Sequence, residues 1–414
     1  MVALGVFAAA LAAYELIAVR VERFGLSRPM VFVIVGGIVA ATGVIDPIEG
    51  ESLAGVLLPL AEIALTLVLF SDASRINLGW LREDYGLPAR LLGPGMLLSI
   101  GLGTLVGLWL FGELDAWECG LLAAILAPTD AALGSAVVED RRVPAQIRRS
   151  LNVEAGLNDG LAVPFVLLCI AGATVVEGFE PGSFWATTLV EKIGVGVIAG
   201  VGVGMLAGEL ARRGRKDGWA SGTSEQIAMA GVAVALFVFT EEIGGSGFIA
   251  AFVGGLIAGS RLRADSKPAV AFVDEEGAVV GAFVFFALGM SAVALFGELT
   301  WQVGVYAVLS LTLVRMAPVA LALAGTGLRA RTVAFMGWFG PRGLASVVLA
   351  LVVLEQDNEL TGIDTIVLTT LATVILSIVL HGFSAQPLSR RYGDWAKRLP
   401  ADAPERAEPA RASE

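Results

Sequence analysis

Long apolar stretches alternate with short polar segments along almost the whole chain. The stretches are continuous, whereas a half-buried strand would alternate at every second residue, so they predict helices. A hydrocarbon core about 30 Å thick needs roughly 20 helical residues to cross it. The predicted membrane spans are 2–19, 29–45, 53–70, 89–111, 117–136, 151–176, 185–211, 224–241, 244–260, 277–296, 302–325, 332–354 and 363–385. This pattern of thirteen spans predicts an all-α polytopic membrane protein.

The composition agrees with this class. Only 16% of the 414 residues are charged, against about 25% in ordinary soluble domains. The net charge of −11 argues against nucleic acid as a partner. No phosphate-loop sequence is present, so we expect neither an ATP-driven cycle nor a cofactor. The hydrolase motifs GxSxG and HExxH are also absent, and we expect a transporter rather than an enzyme.

Basic and acidic residues alternate from one predicted loop to the next. Loops after odd-numbered spans hold clusters of Lys and Arg, as in 141–149 and 212–216. Loops after even-numbered spans hold acids, as in 46–51 and 355–359. Lys and Arg are enriched on the cytoplasmic side of membrane proteins. We therefore predict a multi-pass protein of the cell (inner) membrane, with its N-terminus outside and its C-terminus in the cytoplasm.

Charged residues inside the spans give the first sign of ion chemistry. Two arginines lie inside spans, Arg315 and Arg342. More acids than bases lie inside spans or near their ends: Glu15, Glu62, Asp72, Asp130, Glu154, Asp159 and Glu209. A charge at the bilayer centre costs roughly 3 kcal/mol or more, so the excess acids are expected to be neutral or to bind cations. This favours cation or proton transport over the alternative, a polar cluster that only joins helices.

Two spans contain helix-breaking residues at equivalent positions. Span five reads ILAPTDAALG and span twelve reads WFGPRGLAS, and the breakers are Pro128, Gly340, Pro341 and Gly343. If span seven is a linker, six spans lie on each side of it, and spans five and twelve are each the fifth span of their half. The two halves then insert in opposite orientations. We predict inverted repeats 1–184 and 224–388, a linker 185–223, and broken helices that cross near the midplane. The polar tail, 389–414, is predicted to be disordered.

Span six contains the sequence AGLNDG at 155–160. Glu154 and Asn158 are four residues apart and share a helix face, while Asp159 lies about 100° further round. Glu154 would therefore suit a buried cation such as Arg315, and Asp159 would face a cavity with Asp130. Carboxylate oxygens form a site for a hard cation. Competition between a proton and a metal cation for Asp159 would be sufficient for exchange.

The motifs LAPTDAALGSAVVED and VPAQIRRSLNVEAGLNDGLAVPFVLL resemble the NhaP-type sodium/proton antiporters of the cation:proton antiporter-1 family. The sequence GGSGFIAAFVGGLIAG resembles the ninth helix of that family, and GWFGPRGLASVVLAL resembles an arginine-bearing helix of its second half. The resemblance implies thirteen helices, a mobile six-helix core, a dimerisation domain and elevator-like alternating access. It also implies a homodimer in the lipid bilayer.

The resemblance also implies roles for residues in the first half. Asp159 corresponds to the essential aspartate that carries the cation or the proton. Asn158 corresponds to the neighbouring asparagine that is associated with electroneutral, 1:1 exchange. Asp130 and the carbonyl of Thr129 correspond to further ligands of Na⁺ at the crossing. Asp72 corresponds to a carboxylate that contributes to the site in some members.

Supporting roles are implied for three further residues. Glu154 and Arg315 correspond to a structural ion pair, and Arg342 corresponds to the arginine at the crossing. Some members have Ser directly after the glutamate, where this chain has Ala155. We therefore expect an antiporter of Na⁺ (or Li⁺) and H⁺, with K⁺/H⁺ exchange as the alternative and a cation channel as the weaker one. The only histidine, His381, is expected to have an incidental role at the membrane interface.

Overall fold

The computed structural model describes residues 2–23, 25–43, 50–76, 86–173, 181–220, 222–262, 267–355, 360–400 and 402–406. The first nine helices are α1 (Val2–Arg23), α2 (Arg28–Ala41), α3 (Gly50–Arg75), α4 (Gly86–Arg90), α5 (Met96–Leu110), α6 (Ala116–Ile125), α7 (Ala131–Val138), α8 (Ala145–Ala173) and α9 (Pro181–Lys216). The others are α10 (Gly222–Glu242), α11 (Gly247–Leu262), α12 (Lys267–Glu298), α13 (Trp301–Leu311), α14 (Leu313–Ala322), α15 (Ala330–Trp338), α16 (Leu344–Glu355) and α17 (Ile363–Ala396).

The helices have the length and composition of membrane helices. Within the described ranges, seven are long and apolar enough to cross a bilayer: Val2–Val21, Gly86–Leu110, Ala145–Ala173, Leu189–Lys216, Gly222–Glu242, Trp301–Ala322 and Ile363–Ala396. Shorter apolar helices are Arg28–Ala41, Ala116–Ile125, Gly247–Leu262, Gly277–Ala292 and Leu344–Glu355. An all-helical membrane protein is therefore confirmed. The number of thirteen spans and the inverted repeat stay predictions.

The chain forms two compact units. The first unit comprises Met1–Leu58, Asp84–Ala155 and Ala282–Glu414, and the second comprises Pro59–Glu83 and Gly156–Gly281. These units interleave along the chain and do not coincide with the predicted halves. A compact unit is defined by contacts, whereas a repeat is defined by symmetry. The two units therefore do not test the predicted inverted repeats.

Glycines allow close helix packing inside the first unit. A Cβ on Gly36 of α2 would overlap the carbonyl oxygen of Phe286 on α12. A Cβ on Gly289 of α12 would in turn overlap the carbonyl oxygen of Val33 on α2. Small residues at such contacts let two membrane helices approach to backbone distance.

Glycines also allow close helix packing in the second unit, along α9. An ideal Cβ on Gly196, Gly200 or Gly204 would lie 2.8, 2.7 or 2.6 Å from a carbonyl oxygen of α11 or of Ser246 just before it. The three glycines are four residues apart and therefore lie along one face of α9. A side chain at any of these three positions would collide with a backbone carbonyl, so α9 and α11 pack backbone to backbone along this face.

Two irregular segments lie inside spans that were predicted to be continuous. A π-helical turn, Leu91–Gly95, contains Pro94 and separates α4 from α5. Thr312 separates α13 from α14 and has φ −112° and ψ −88°. π-turns and interruptions of this kind are frequent near functional positions. The second of them lies three residues before Arg315.

The predicted disorder of the tail is wrong for residues 389–400 and 402–406. Helix α17 continues to Ala396, and Tyr392 donates a hydrogen bond to the hydroxyl of Thr332 at 3.1 Å. Glu405 is fully buried and accepts hydrogen bonds from Arg329 N at 2.8 Å and Thr332 Oγ1 at 3.1 Å. The sequence 407–414 lies outside the described residues. Composition indicated a polar tail, but polar side chains can be buried when hydrogen-bond partners elsewhere in the chain satisfy them.

Candidate functional site

The first helix break lies between α6 and α7. Helix α6 ends at Ile125 and α7 begins at Ala131. Pro128 lies between them; proline has no backbone N–H and disfavours helical geometry in the residue before it. The prediction of a broken helix from Pro128 is therefore matched by the backbone.

The second helix break lies between α15 and α16. Helix α15 ends at Trp338 and α16 begins at Leu344. The intervening sequence contains Gly340, Pro341 and Gly343, the predicted breakers, around Arg342. Both interruptions thus occur where the sequence predicted them.

The two breaks contact each other within the first unit. Asp130 N donates to the carbonyl of Pro341 at 2.7 Å. Arg342 Nη1 donates to the carbonyl of Pro128 at 2.9 Å and also to that of Ala127. The two breaks are therefore in direct contact, while the crossing of the broken helices near the midplane stays a prediction.

Asp130 joins the N-termini of two helices. Its Oδ1 accepts the N–H of Leu133 in α7 at 2.8 Å, and its Oδ2 accepts the N–H of Leu344 at the start of α16 at 2.8 Å. Helix N-termini carry partial positive charge and unpaired N–H groups, which a carboxylate satisfies. Each oxygen retains a second lone pair, so the carboxylate still has capacity to bind a cation.

The glycines of the second break are also required for space. A Cβ on Gly343 would overlap the carboxylate of Asp130, and a Cβ on Gly340 would overlap the guanidinium group of Arg315. Neither glycine has a positive φ. Sequence reasoning identified them as helix breakers, but their tighter constraint is close approach to two charged side chains.

Arg315 and Glu154 form an ion pair in the first unit. Arg315 Nη1 lies 2.5 Å from Glu154 Oε1, and the residues are 4% and 2% exposed. Among the described residues, Arg315 Nε and Nη2 have no hydrogen-bond partner. The structure brings together the two residues that the resemblance pairs. Removing one partner of a buried pair leaves an uncompensated charge, so each depends on the other.

The second unit contains Asp159, Asn158 and Asp72. Asp159 and Asn158 are 8% and 2% exposed on α8. An ideal Cβ on Gly156, one turn before Asp159, would lie 3.5 Å from Asp72 Cβ. A Cβ on Gly160 would overlap the ring of Phe252. Gly160 of AGLNDG is therefore required for the close packing of α8 against α11, whereas a Cβ at Gly156 would make ordinary contact with Asp72 of α3.

A small cavity opens beside Asp130 in the first unit. It is lined by Thr129, Asp130, Asn152, Ala155 and Pro341, together with apolar side chains. Ala155, where some relatives of the predicted family have serine, thus lies in the cavity wall. In the described part of the chain, no three His, Cys, Asp or Glu residues cluster. The proposed ligands Thr129 and Asp130 belong to the first unit, whereas Asp159 and Asp72 belong to the second.

Sequence reasoning missed two residues at the second break, Ser377 and His381 of α17. Ser377 Oγ accepts the N–H of Arg342 at 2.7 Å, and His381 Nε2 lies 2.9 Å from the carbonyl oxygen of Trp338. His381 is 1% exposed, so its side chain is packed inside the protein, while the expected position at the membrane interface stays a prediction. The available signal was a pair of polar residues four apart, on one face of an apolar helix.

The chain matches one protein family over most of its length. The family model described as "Sodium/hydrogen exchanger, transmembrane" matches residues 6–391. The K(+)/H(+) antiporter NhaP2 of Shewanella oneidensis is 24% identical over 337 residues, which are 80% of this chain and 57% of the relative. The K(+)/H(+) antiporter NhaP of Alkalimonas amylolytica is 25% identical over 379 residues, which are 89% of this chain and 63% of the relative.

A solved structure has a similar fold. The sodium proton antiporter MjNhaP1 of Methanocaldococcus jannaschii, at pH 8, superposes with a TM-score of 0.76 and 22% identity. The match covers 95% of this chain and 99% of that one. The chain spans just over half of the length of the curated NhaP2 relative from Shewanella oneidensis, 57%.

Proposed function

Since the chain belongs to the sodium/hydrogen exchanger family, matched over residues 6–391, we propose that it exchanges Na⁺ (or Li⁺) for H⁺ across the membrane. The observation that carries the proposal is the contact between two broken helices. There Asp130 accepts from Leu133 N and Leu344 N, and Arg342 donates to carbonyls of the opposite break. Broken helices of this kind form ion sites in secondary transporters. Proteins of this family are transporters rather than enzymes.

Asp159 is the carrier in this proposal. It binds the cation or the proton in turn, and each loaded form of the site crosses the membrane. An empty site, with its carboxylate charged, crosses poorly because a buried, uncompensated charge pays a desolvation penalty. Asn158 adds no second charge beside Asp159, so the exchange is 1:1 and electroneutral. Thr129, Asp130 and Asp72 provide further oxygen ligands.

K⁺ is the second candidate cation, and Ala155 is the observation that favours it. The residue lines the cavity beside Asp130. Alanine offers no oxygen ligand and leaves more room than serine, which favours a larger cation over Na⁺. Two relatives of this chain are named K(+)/H(+) antiporters.

The remaining features of the proposal follow the family. The protein acts as a homodimer in the cell (inner) membrane, with its N-terminus outside and its C-terminus in the cytoplasm. Alternating access is elevator-like, driven by the ion gradients without ATP or another cofactor. A cation channel on this scaffold is the weaker alternative.

The test measures cation-induced proton movement in proteoliposomes that contain a pH-sensitive dye. Na⁺, Li⁺ and K⁺ are added separately to the wild type and to Asp159→Asn, with the voltage clamped by valinomycin and equilibrated K⁺ in the Na⁺ and Li⁺ assays. Asp364→Asn, an exposed carboxylate in the first turn of α17, is the control.

Na⁺-driven proton movement that persists at clamped voltage, is lost in Asp159→Asn and is retained in Asp364→Asn would support electroneutral exchange at Asp159. A response to K⁺ alone would change the cation to the second candidate. The absence of proton movement with every cation would refute the antiporter. Residual uncoupled cation flux in Asp159→Asn would indicate a channel.

A further inference from the structure

The second break leaves backbone groups without partners inside their own helices. The last carbonyls of a helix and the N–H groups after a break lack the usual partners four residues away. Here, side chains of α17 approach both sides of the break. Ser377 Oγ accepts the N–H of Arg342 at 2.7 Å, and His381 Nε2 lies 2.9 Å from the carbonyl oxygen of Trp338, the last residue of α15.

The two α17 side chains also contact each other. Ser377 Oγ and His381 Nδ1 are 3.1 Å apart, as residues four apart on one helix face can be. The contacts therefore form one series, which runs from Arg342 N–H through Ser377 and His381 to the carbonyl of Trp338. Both side chains are buried, with 0% and 1% exposure, so water does not compete for these groups.

The partners determine the tautomer of the imidazole ring. Trp338 contributes a carbonyl oxygen, which only accepts, so Nε2 must carry a hydrogen. Ser377 Oγ accepts from Arg342 N, and its own hydrogen can be donated to Nδ1. The carbonyl of Ser377 lies 3.0 Å from Nδ1, but in a regular helix it is the acceptor for the backbone N–H of His381. The contact with Trp338 therefore requires hydrogen on Nε2, and in a neutral ring Nδ1 then accepts from the hydroxyl of Ser377.

The ring of Trp338 adds a further constraint on His381. The two ring centroids are 5.1 Å apart, and Trp338 Nε1 donates to Ser384 Oγ at 2.9 Å, one turn further along α17. Trp338 is thus held to α17 through its carbonyl, its ring face and its indole N–H. The end of α15 has little freedom to move relative to α17.

We propose that Ser377 and His381 are positioning residues that hold the second break in the geometry in which Arg342 reaches the carbonyls of Ala127 and Pro128. They contact neither the cation nor the proton, and they act on transport only through Arg342 and the end of α15. The structural part of this inference is independent of the proposed function. Only its effect on transport rests on that function.

The first test is ¹⁵N NMR of the histidine side chain in wild-type protein in liposomes. The chain contains a single histidine, so histidine labelling gives one imidazole spectrum without assignment. We expect a pyrrole-type Nε2 and a pyridine-type Nδ1. A neutral ring with hydrogen on Nδ1 and none on Nε2 would overturn the proposal, because Nε2 could not then donate to the carbonyl of Trp338. This outcome does not depend on whether the protein transports ions.

The second test separates the two hydrogen bonds by substitution. Glutamine places an amide N–H near the position of Nε2, whereas asparagine reaches only the position of Nδ1. We expect His381→Ala and His381→Asn to lower the maximal rate of exchange about tenfold, the effect of one lost buried hydrogen bond. His381→Gln should retain most of the rate, with an unchanged apparent KM in all three.

The matched serine comparison is Ser377→Ala against Ser389→Ala. Ser389 is also buried on α17, but its hydroxyl has no hydrogen-bond partner in the part of the chain that the structure describes. Ser377→Ala should slow exchange, whereas Ser377→Thr and Ser389→Ala should not. Equal rates in Ser377→Ala and Ser389→Ala, or equal losses in His381→Gln and His381→Asn, would overturn the proposal. If wild-type protein shows no exchange, the proposed function fails, and the NMR result alone decides the geometry.

Discussion

The two helix breaks are similar in sequence but are stabilised in different ways. At the first, Asp130 accepts the N–H of Leu133, three residues further along the same segment. At the second, the N–H groups of Arg342 and Leu344 are bound by Ser377 of α17 and by Asp130 of the first break. The first break therefore has a local cap, whereas the second depends on tertiary contacts.

The difference follows from the residues in each break. An aspartate at the start of a helix can cap it without help from the rest of the protein. Gly340 and Gly343 have no side chains to form hydrogen bonds, and proline at 341 has no N–H. The second break gains close approach to Asp130 and Arg315 but loses the ability to cap itself. Glycines provide space but no side-chain hydrogen bonds. At the second break, Ser377 and Asp130 provide the hydrogen-bond acceptors that the glycines lack.

The largest effect is expected for Asp130→Ala. It removes the caps of α7 and α16 together, and each cap contributes about 1 to 2 kcal/mol, so the free energy of unfolding in detergent should fall by about 2 to 4 kcal/mol. Asp115→Ala removes the cap of α6 alone, where Oδ1 accepts from Trp117 N and Glu118 N, and should cost about half as much. Equal losses would contradict the double role of Asp130.

Arg342→Gln should have the next largest effect. It leaves the carbonyls of Ala127 and Pro128 without their donor, and an unsatisfied buried group costs about 1 to 3 kcal/mol. Exchange should slow in proportion, because the two breaks lose a direct contact. Arg342→Lys should recover part of both losses, since lysine retains donors without the planar fork. The measurements are unfolding in detergent and exchange in proteoliposomes.

Gly343→Ala tests whether space, rather than flexibility, determines the glycine. The new methyl group would overlap Asp130, and overpacking of this kind costs about 1 to 3 kcal/mol. Gly134→Ala in α7 is the matched control, because a Cβ there meets no atom within 4 Å. That change should be neutral or stabilising by up to about 1 kcal/mol. Similar destabilisation in both variants would show that backbone freedom is the constraint.

Glu405→Gln should have a smaller effect, at the other end of the helix before the second break. Glu405 accepts from Arg329 N, at the N-terminus of α15. Glutamine retains one acceptor but loses the negative charge at the helix N-terminus, a change of about 0.3 to 1 kcal/mol. Amide hydrogen exchange at residues 330–333 should become faster, while amide hydrogen exchange in α7 stays unchanged. Faster exchange in both helices would mean that the effect is global.

The smallest effect is expected for the ion pair of Asp140 and Arg142, which lies just after α7. Arg142 donates to Asp140 at 2.7 to 3.1 Å and lowers the pKa of that carboxyl below its usual range. A lowered pKa in the folded state stabilises the protein above the unfolded value of about 4. This contribution is lost as the pH falls through the folded pKa. Because the pair is partly exposed, the loss should be at most about 0.5 kcal/mol. The free energy of unfolding, measured from about pH 6 to pH 3, should show this loss in the wild type and not in Asp140→Asn.

The sequence predicted the breaks well because their causes are local. Pro128 and the group Gly340, Pro341 and Gly343 lie in otherwise apolar spans, and each interrupts the helix where it stands. The interruption at Thr312 was missed because no proline or glycine adjoins it. The buried tail was missed because the partners of Glu405 lie more than seventy residues away.

The sequence by itself determined the helical membrane architecture, the positions of both breaks and the residues that bear charge in the spans. These follow from the spacing of apolar residues and from proline and glycine, whose effects act over a few residues. Only the tertiary structure decided that one carboxylate caps two helices, that Gly343 is a space requirement, and that Ser377 and His381 complete the second break. Such contacts join residues that are distant in the chain, and their geometry depends on how whole helices pack.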